Sequence, residues 1–282
     1  MSKLYTLEND KLKIAVSAHG AEFSSLFDKE KGRELLWQGD SAFWGRKSPV
    51  LFPVVGKYRS LKTTYKGKEY SLPQHGFARD SEFTLLQSSD SRLEFLLESN
   101  EKTLKDYPFK FRLICSFSLN GGELTVGWRV ENTDCEDIYF SIGAHPAFYC
   151  EKGATVLNIE GVQSPAFSLL NGDGLFLPEK YPCPASFVLN DEIFDRDALI
   201  FENSEFCRVT LVNEDNSSLS VEFTAPLFGI WSPAGKNAPF VCIEPWYGRC
   251  DSADFEGDIT AREWGNRLAV GEAFEKEYKI II

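Results

Sequence analysis

Two short stretches carry residues fit for proton chemistry. The first is Ser141-Ile142-Gly143-Ala144-His145-Pro146-Ala147-Phe148, a histidine set between small residues and a proline. Proline fixes its own φ and steers the residue before it away from helix, so His145 is expected on rigid, extended backbone. Its imidazole, with an ordinary pKa of about 6.5, can be tuned to give or take a proton near neutral pH. The second stretch is Phe240-Val241-Cys242-Ile243-Glu244-Pro245-Trp246-Tyr247-Gly248-Arg249. Four apolar residues predict a buried strand that ends in a carboxylate held by proline. Burial raises the pKa of such a glutamate unless a cation, with Arg249 the nearest in sequence, neutralises it. An imidazole and a carboxylate on separate strand ends suit general acid–base catalysis without a covalent intermediate. The aromatics after Glu244 offer faces on which an apolar sugar surface stacks while carboxylates take the hydroxyls.

Three further polar clusters stand beside apolar segments. Gly56-Lys57-Tyr58-Arg59 follows the run from Phe43 to Val55, which its two prolines keep out of helix. Leu72-Pro73-Gln74-His75-Gly76-Phe77-Ala78-Arg79-Asp80 is the second dense group, and Asp195-Arg196-Asp197 directly precedes an apolar strand through Phe201. Each by itself fits a solvated turn as well as a pocket wall. Other chemistries lack their signatures: there is no G-x-G-x-x-G after a strand, no Walker loop, no G-x-S-x-G and no H-E-x-x-H. The three histidines, at 19, 75 and 145, are not at metal-ligand spacing, so no metal is expected.

The elements that must position these groups are strands. Lys11–Val16 alternates polar and apolar with period two, and similar runs follow at 23–27, 34–37, 92–98, 109–119, 124–130, 138–142, 207–212, 219–223 and 272–280. Thr63 to Tyr70 predicts a hairpin turning near Gly67. Only Glu101 to Lys105 looks like a helical turn, and Leu177 to Pro184, rich in proline, predicts an irregular connection. No repeat or linker divides the 282 residues, and a single all-β body, sandwich or barrel, is expected over 1–282.

Charge and cysteines bound the partners. With 30 basic and 42 acidic residues the net charge is -12, which repels nucleic acid and anionic membranes. The seven scattered cysteines include no C-x-x-C pair and predict reduced thiols. Without a signal-peptide pattern at the start or a membrane-length apolar run, the expected location is the cytoplasm, as a monomer or homodimer.

Five motifs taken in order resemble the aldose 1-epimerase (galactose mutarotase) family, in its shorter bacterial branch. They are Gly20-Ala21-Glu22, Leu51-Phe52-Pro53-Val54-Val55-Gly56, Pro73-Gln74-His75-Gly76-Phe77-Ala78-Arg79, Gly143-Ala144-His145-Pro146-Ala147-Phe148 and Glu244-Pro245-Trp246. The resemblance implies one large, mostly antiparallel β-sandwich with a sugar in an open cleft. It implies that Glu244 takes the proton of the anomeric hydroxyl, that His145 protonates the ring oxygen, and that no cofactor is needed. A charged His145 then requires a neighbouring carboxylate or carbonyl to raise its pKa. His75 and Asp197 would bind the sugar, with Trp246 beside it. Lys57 falls where the family more usually has an arginine, which a lysine does not copy as a planar fork. Arg59 is the alternative, and the cations Lys57, Arg59 and Arg79 leave a hexose 6-phosphate open as substrate. A non-catalytic sugar-binding protein and a glycoside hydrolase are the rival readings; the latter needs two acids about the glycosidic bond, and only Glu244 stands out.

Overall fold

The computed structural model describes residues 3–282. Period-two patterning becomes one-sided burial: Phe111, Leu113, Cys115, Phe117 and Leu119 are buried along Phe111–Asn120, and Leu124, Val126, Trp128 and Val130 along Glu123–Asn132. These strands pair antiparallel from Phe111↔Asn132 to Asn120↔Glu123. They lie within a nine-stranded sheet that runs from Ser186–Val188 at one edge to Thr84–Ser88 at the other. The final strand, Ala273–Ile281, joins Glu123–Asn132 to Ser218–Phe223 in the same sheet.

A second, eight-stranded sheet has the order Phe176–Pro182, Ala166–Leu170, Leu199–Glu202, Leu227–Trp231, Phe240–Tyr247, Ile142–Ala144 and Val50–Leu51, with Ala147–Tyr149 also paired to Phe240–Tyr247. Leu113, Phe117 and Val126 of the first sheet share one apolar core with Phe228, Ile230, Val241 and Ile243 of the second. A four-stranded sheet begins with Leu4–Glu8, and helix is confined to the turn Thr103–Asp106 and four 3-10 turns among the described residues. The molecule is an antiparallel β-sandwich.

Three local expectations are corrected. Phe176–Pro182 is a strand rather than an irregular connection; it occupies a sheet edge, where proline's missing N–H costs no ladder bond. The expected strand at 138–142 is two, since Ile138–Phe140 pairs with Asn266–Leu268 and Ile142–Ala144 enters the eight-stranded sheet. Finally, the strand through Glu244 does not stop at Pro245 but runs to Tyr247. Its neighbour is broken instead: Ile142 and Gly143 pair with Tyr247 and Trp246, whereas Ala147 to Tyr149 pair with Cys242 to Phe240. His145-Pro146 is the gap. In the register shared by the two flanking pairs, His145 faces Glu244, and Pro245, which has no N–H to offer, faces Ala144 just before it.

Candidate active site

That gap sets the site. Glu244 is mid-strand, opposite Gly229, and the interruption next to it carries His145, so an imidazole and a carboxylate face each other where the ladder opens. His145 Nε2 lies 3.3 Å from Glu244 Oε2. The two residues are 8% and 1% exposed. They line a cavity of about 180 Å³ together with His75, Gln74, Arg79, Asp197, Trp44, Trp231 and Trp246.

Each wall has a local cause. Trp246 shares the face of Glu244, two residues on, and its indole lies across glycines on both flanking strands. A Cβ at Gly229 or at Gly143 would stand 2.6 Å from the ring, so only glycine lets it lie flat. Trp44 stacks on the His145 ring at 4.8 Å between centroids, and Trp231 meets it edge-on at 5.4 Å. His75 sits in the left-handed region at φ 65°, held by a reciprocal pair: its N–H donates to the Gly56 carbonyl at 2.6 Å, and the Gly56 N–H donates to its Nδ1 at 3.1 Å. With Nδ1 accepting, the neutral ring carries its proton on Nε2. Asp197, also at positive φ (72°), caps the strand start by accepting from the Ala198 N–H at 2.9 Å. Arg79 donates to the Gln74 carbonyl at 2.6 Å.

Burial governs the electrostatics. It pushes His145 down to about 3, helped by the positive charge of Arg79. His75 is lowered well below the usual histidine range by burial and then by His145. Glu244 is raised well above the carboxylate range by burial and by the charge of Asp197. The Trp246 N–H lies beside Glu244 and partly offsets this without completing a hydrogen bond. The expectation of a raised His145 is therefore corrected: burial and the positive charge of Arg79 lower it, and the Glu244 carboxyl beside it is itself shifted toward its neutral form. Arg249 does not neutralise Glu244; it pairs with Glu202 at 2.9 Å and with Glu263.

Buried polar atoms without a hydrogen-bond partner gather here: His145 Nδ1, Glu244 Oε2, Trp246 Nε1 and Arg79 Nε. A protein rarely leaves such groups unanswered in its interior, and their convergence marks a place for a polar ligand. Of the residues singled out in the sequence, His145, Glu244, His75, Asp197, Arg79 and Trp246 come together. Lys57 and Arg59 do not: they border a neighbouring depression, Lys57 against Gly174 and Arg59 donating to the Phe255 carbonyl at 3.0 Å. Trp44 and Trp231 were not singled out. The density of aromatics at Phe43-Trp44 was visible, but nothing in the chain ties them to His145.

The fold and this site place the molecule among the galactose mutarotase-like β-sandwiches. A galactose mutarotase related enzyme from Lactobacillus acidophilus matches with a TM-score of 0.93 and 33% identity, over 99% of this chain and 97% of that one. A galactose mutarotase-like protein from Lactobacillus casei matches with a TM-score of 0.93 and 30% identity, over 99% of both. The family model described as aldose 1-epimerase covers residues 3–280, and the chain belongs to that family. Among named relatives, the plasmid-encoded protein LacX of Lactococcus lactis is 30% identical over 90% of each chain.

Proposed function

We propose that the protein is a mutarotase that interconverts the α and β anomers of an unphosphorylated aldohexose. The observation that carries this reading is the buried His145–Glu244 pair, 3.3 Å apart on the wall of the cavity. Opening a hemiacetal ring needs one proton removed from the anomeric hydroxyl and one delivered to the ring oxygen. Glu244 as carboxylate takes the first and His145 as imidazolium gives the second. The bond from C1 to the ring oxygen breaks, its electron pair leaves with that oxygen, and C1 becomes a carbonyl. Rotation about C1–C2 presents the other face, and the reverse transfers close the ring. Protons balance over the cycle, so the chemistry asks for no cofactor. Burial favours the uncharged form of each group; the sugar hydroxyls, as hydrogen-bonding dipoles, lower the cost of the charged pair.

His75 donates from Nε2 and Asp197 accepts from ring hydroxyls, while Trp246 supplies a flat floor. Phosphate is disfavoured, because two carboxyl groups border the cavity and Lys57 and Arg59 line a neighbouring depression, which leaves Arg79 as the one lysine or arginine among the described lining residues to meet an anion. The test is anomer exchange by saturation-transfer NMR with glucose, galactose and their 6-phosphates. A free aldose should exchange faster with the wild type, and His145→Ala should lose about 10²–10⁴-fold of that acceleration. Binding in ligand-observed spectra without any acceleration would replace this reading with a non-catalytic sugar-binding protein.

A further inference from the structure

Cys242 lies two residues before Glu244 on the strand Phe240–Tyr247, hence on the same face, and is fully buried. It has no part in the proton transfers above. Yet its thiol, a ring nitrogen of His145 and a carboxylate oxygen of Glu244 all lie within 4.8 Å of one another. Sulfur, imidazole nitrogen and carboxylate oxygen make up a donor set suited to zinc. Around a tetrahedral ion with bonds of about 2.0–2.2 Å, nitrogen and oxygen ligands stand about 3.3–3.5 Å apart. His145 Nε2 and Glu244 Oε2 are already 3.3 Å apart. Oε2 is buried and has no hydrogen-bond partner. Bringing the thiol in asks for a shift of about 1 Å, within reach of a side-chain adjustment. Magnesium and calcium, which select oxygen ligands, would gain little from two of the three donors.

We propose that a thiophilic divalent cation of the zinc class binds His145, Cys242 and Glu244 and holds the site inactive while it is there. The ion takes the imidazole lone pair and the carboxylate that proton transfer requires. Binding releases the thiol proton to solvent. A dication then meets a thiolate and a carboxylate, so the buried charges cancel and affinity rises with pH. His145 and Glu244 line the cavity, so a sugar seated against them excludes the ion. The metal is thus an inhibitor and not a cofactor.

The experiment titrates Co²⁺ into chelator-treated, full-length protein. One equivalent should produce tetrahedral visible bands and a thiolate-to-cobalt charge-transfer band, and Zn²⁺ should bleach both. Cys135→Ser, at an exposed cysteine, should keep the charge-transfer band, and Cys242→Ser should remove it. In the anomer-exchange assay Zn²⁺ should stop the wild type, chelator should restore it, and more sugar should demand proportionately more zinc. Loss of the thiolate should raise the zinc needed by no less than the roughly 10–100-fold that losing an outer-shell partner costs. Should Cys242→Ser not fold, His145→Ala must shift the visible bands. A wild type without the charge-transfer band, or a band that survives Cys242→Ser, overturns the proposal. The cobalt spectrum reads the site even if no sugar proves to be a substrate, so the two readings fail separately.

Discussion

Two clusters of buried charge lie a few residues apart on one stretch of chain, and they are handled in opposite ways. Arg249 donates from Nε to Glu202 at 2.9 Å and from Nη1 to the Cys250 carbonyl at 3.0 Å, with Glu263 on Nη2 and the Phe176 ring 3.6 Å below. Arg262 donates to Asp251 and to the Arg249 carbonyl, both at 2.7 Å. Burial alone would raise Glu202, but hydrogen bonds from Lys180 and Arg249 outweigh it and hold that carboxyl below its usual range. Around His145 and Glu244 no such answering group is supplied, and burial wins. Where the protein satisfies its own buried charges it builds scaffold; where it leaves them unanswered it has reserved them for something that comes and goes.

The sharpest test of that contrast exchanges the losses. Glu244→Gln should lower the rate of anomer exchange by about 10²–10⁴-fold while leaving stability unchanged or higher, because a neutral isostere replaces a desolvated carboxyl group. Arg249→Met should do the reverse, lowering stability by about 1.5–3 kcal/mol as the buried Glu202 loses one of its two cations and keeps Lys180, with little change in the rate of the folded fraction. Denaturant unfolding and exchange rates measured on the same samples decide this; equal stability losses in both variants would erase the distinction.

The pH dependence should be broad. Activity needs one proton on the pair, so it should fall as pH drops toward about 3, where His145 takes a second proton, and again as pH rises through the raised value of Glu244. A narrow optimum near 6.5 would mean that His145 titrates as an ordinary histidine. The last effect is on stability. Unfolded histidine protonates near its usual 6.5 and folded His145 only near about 3, so stability present above 6.5 is lost as pH falls toward 3. In His145→Ala the acid slope of the unfolding free energy between those values should flatten.

Much of this was legible in the chain. The strands 92–98 and 207–212 fall where alternation puts them, because one face of each meets the shared core. The pairing of His145 with Glu244 could be suspected from residue types, and it was the resemblance that joined the two stretches. The rest depended on register. Pro245 reads as a stop, since proline usually breaks a ladder, but the neighbouring strand is interrupted at the same level and there is no bond to lose. The prolines of Phe176–Pro182 are tolerated for the related reason that the strand is an edge. Lys57 and Arg59 were plausible ligands by sequence proximity to the apolar wall, yet the chain turns after Gly56 and carries them past the cavity. The sign of the His145 shift was unreadable, because it follows from how deeply the pair is enclosed and not from which residues compose it.

The two glycines beneath Trp246 have a bearing on how this cavity could change its ligand. A floor pressed against backbone on both flanks has nowhere to tilt, and any side chain added under it lifts the whole ring into the space of the ligand. New preferences are therefore easier to reach from the rim, through the loops that bring Trp44, Gln74 and Asp197, than from the sheet. The ledge of sheet that carries Glu244 and Trp246 stays fixed while the entrance is free to drift.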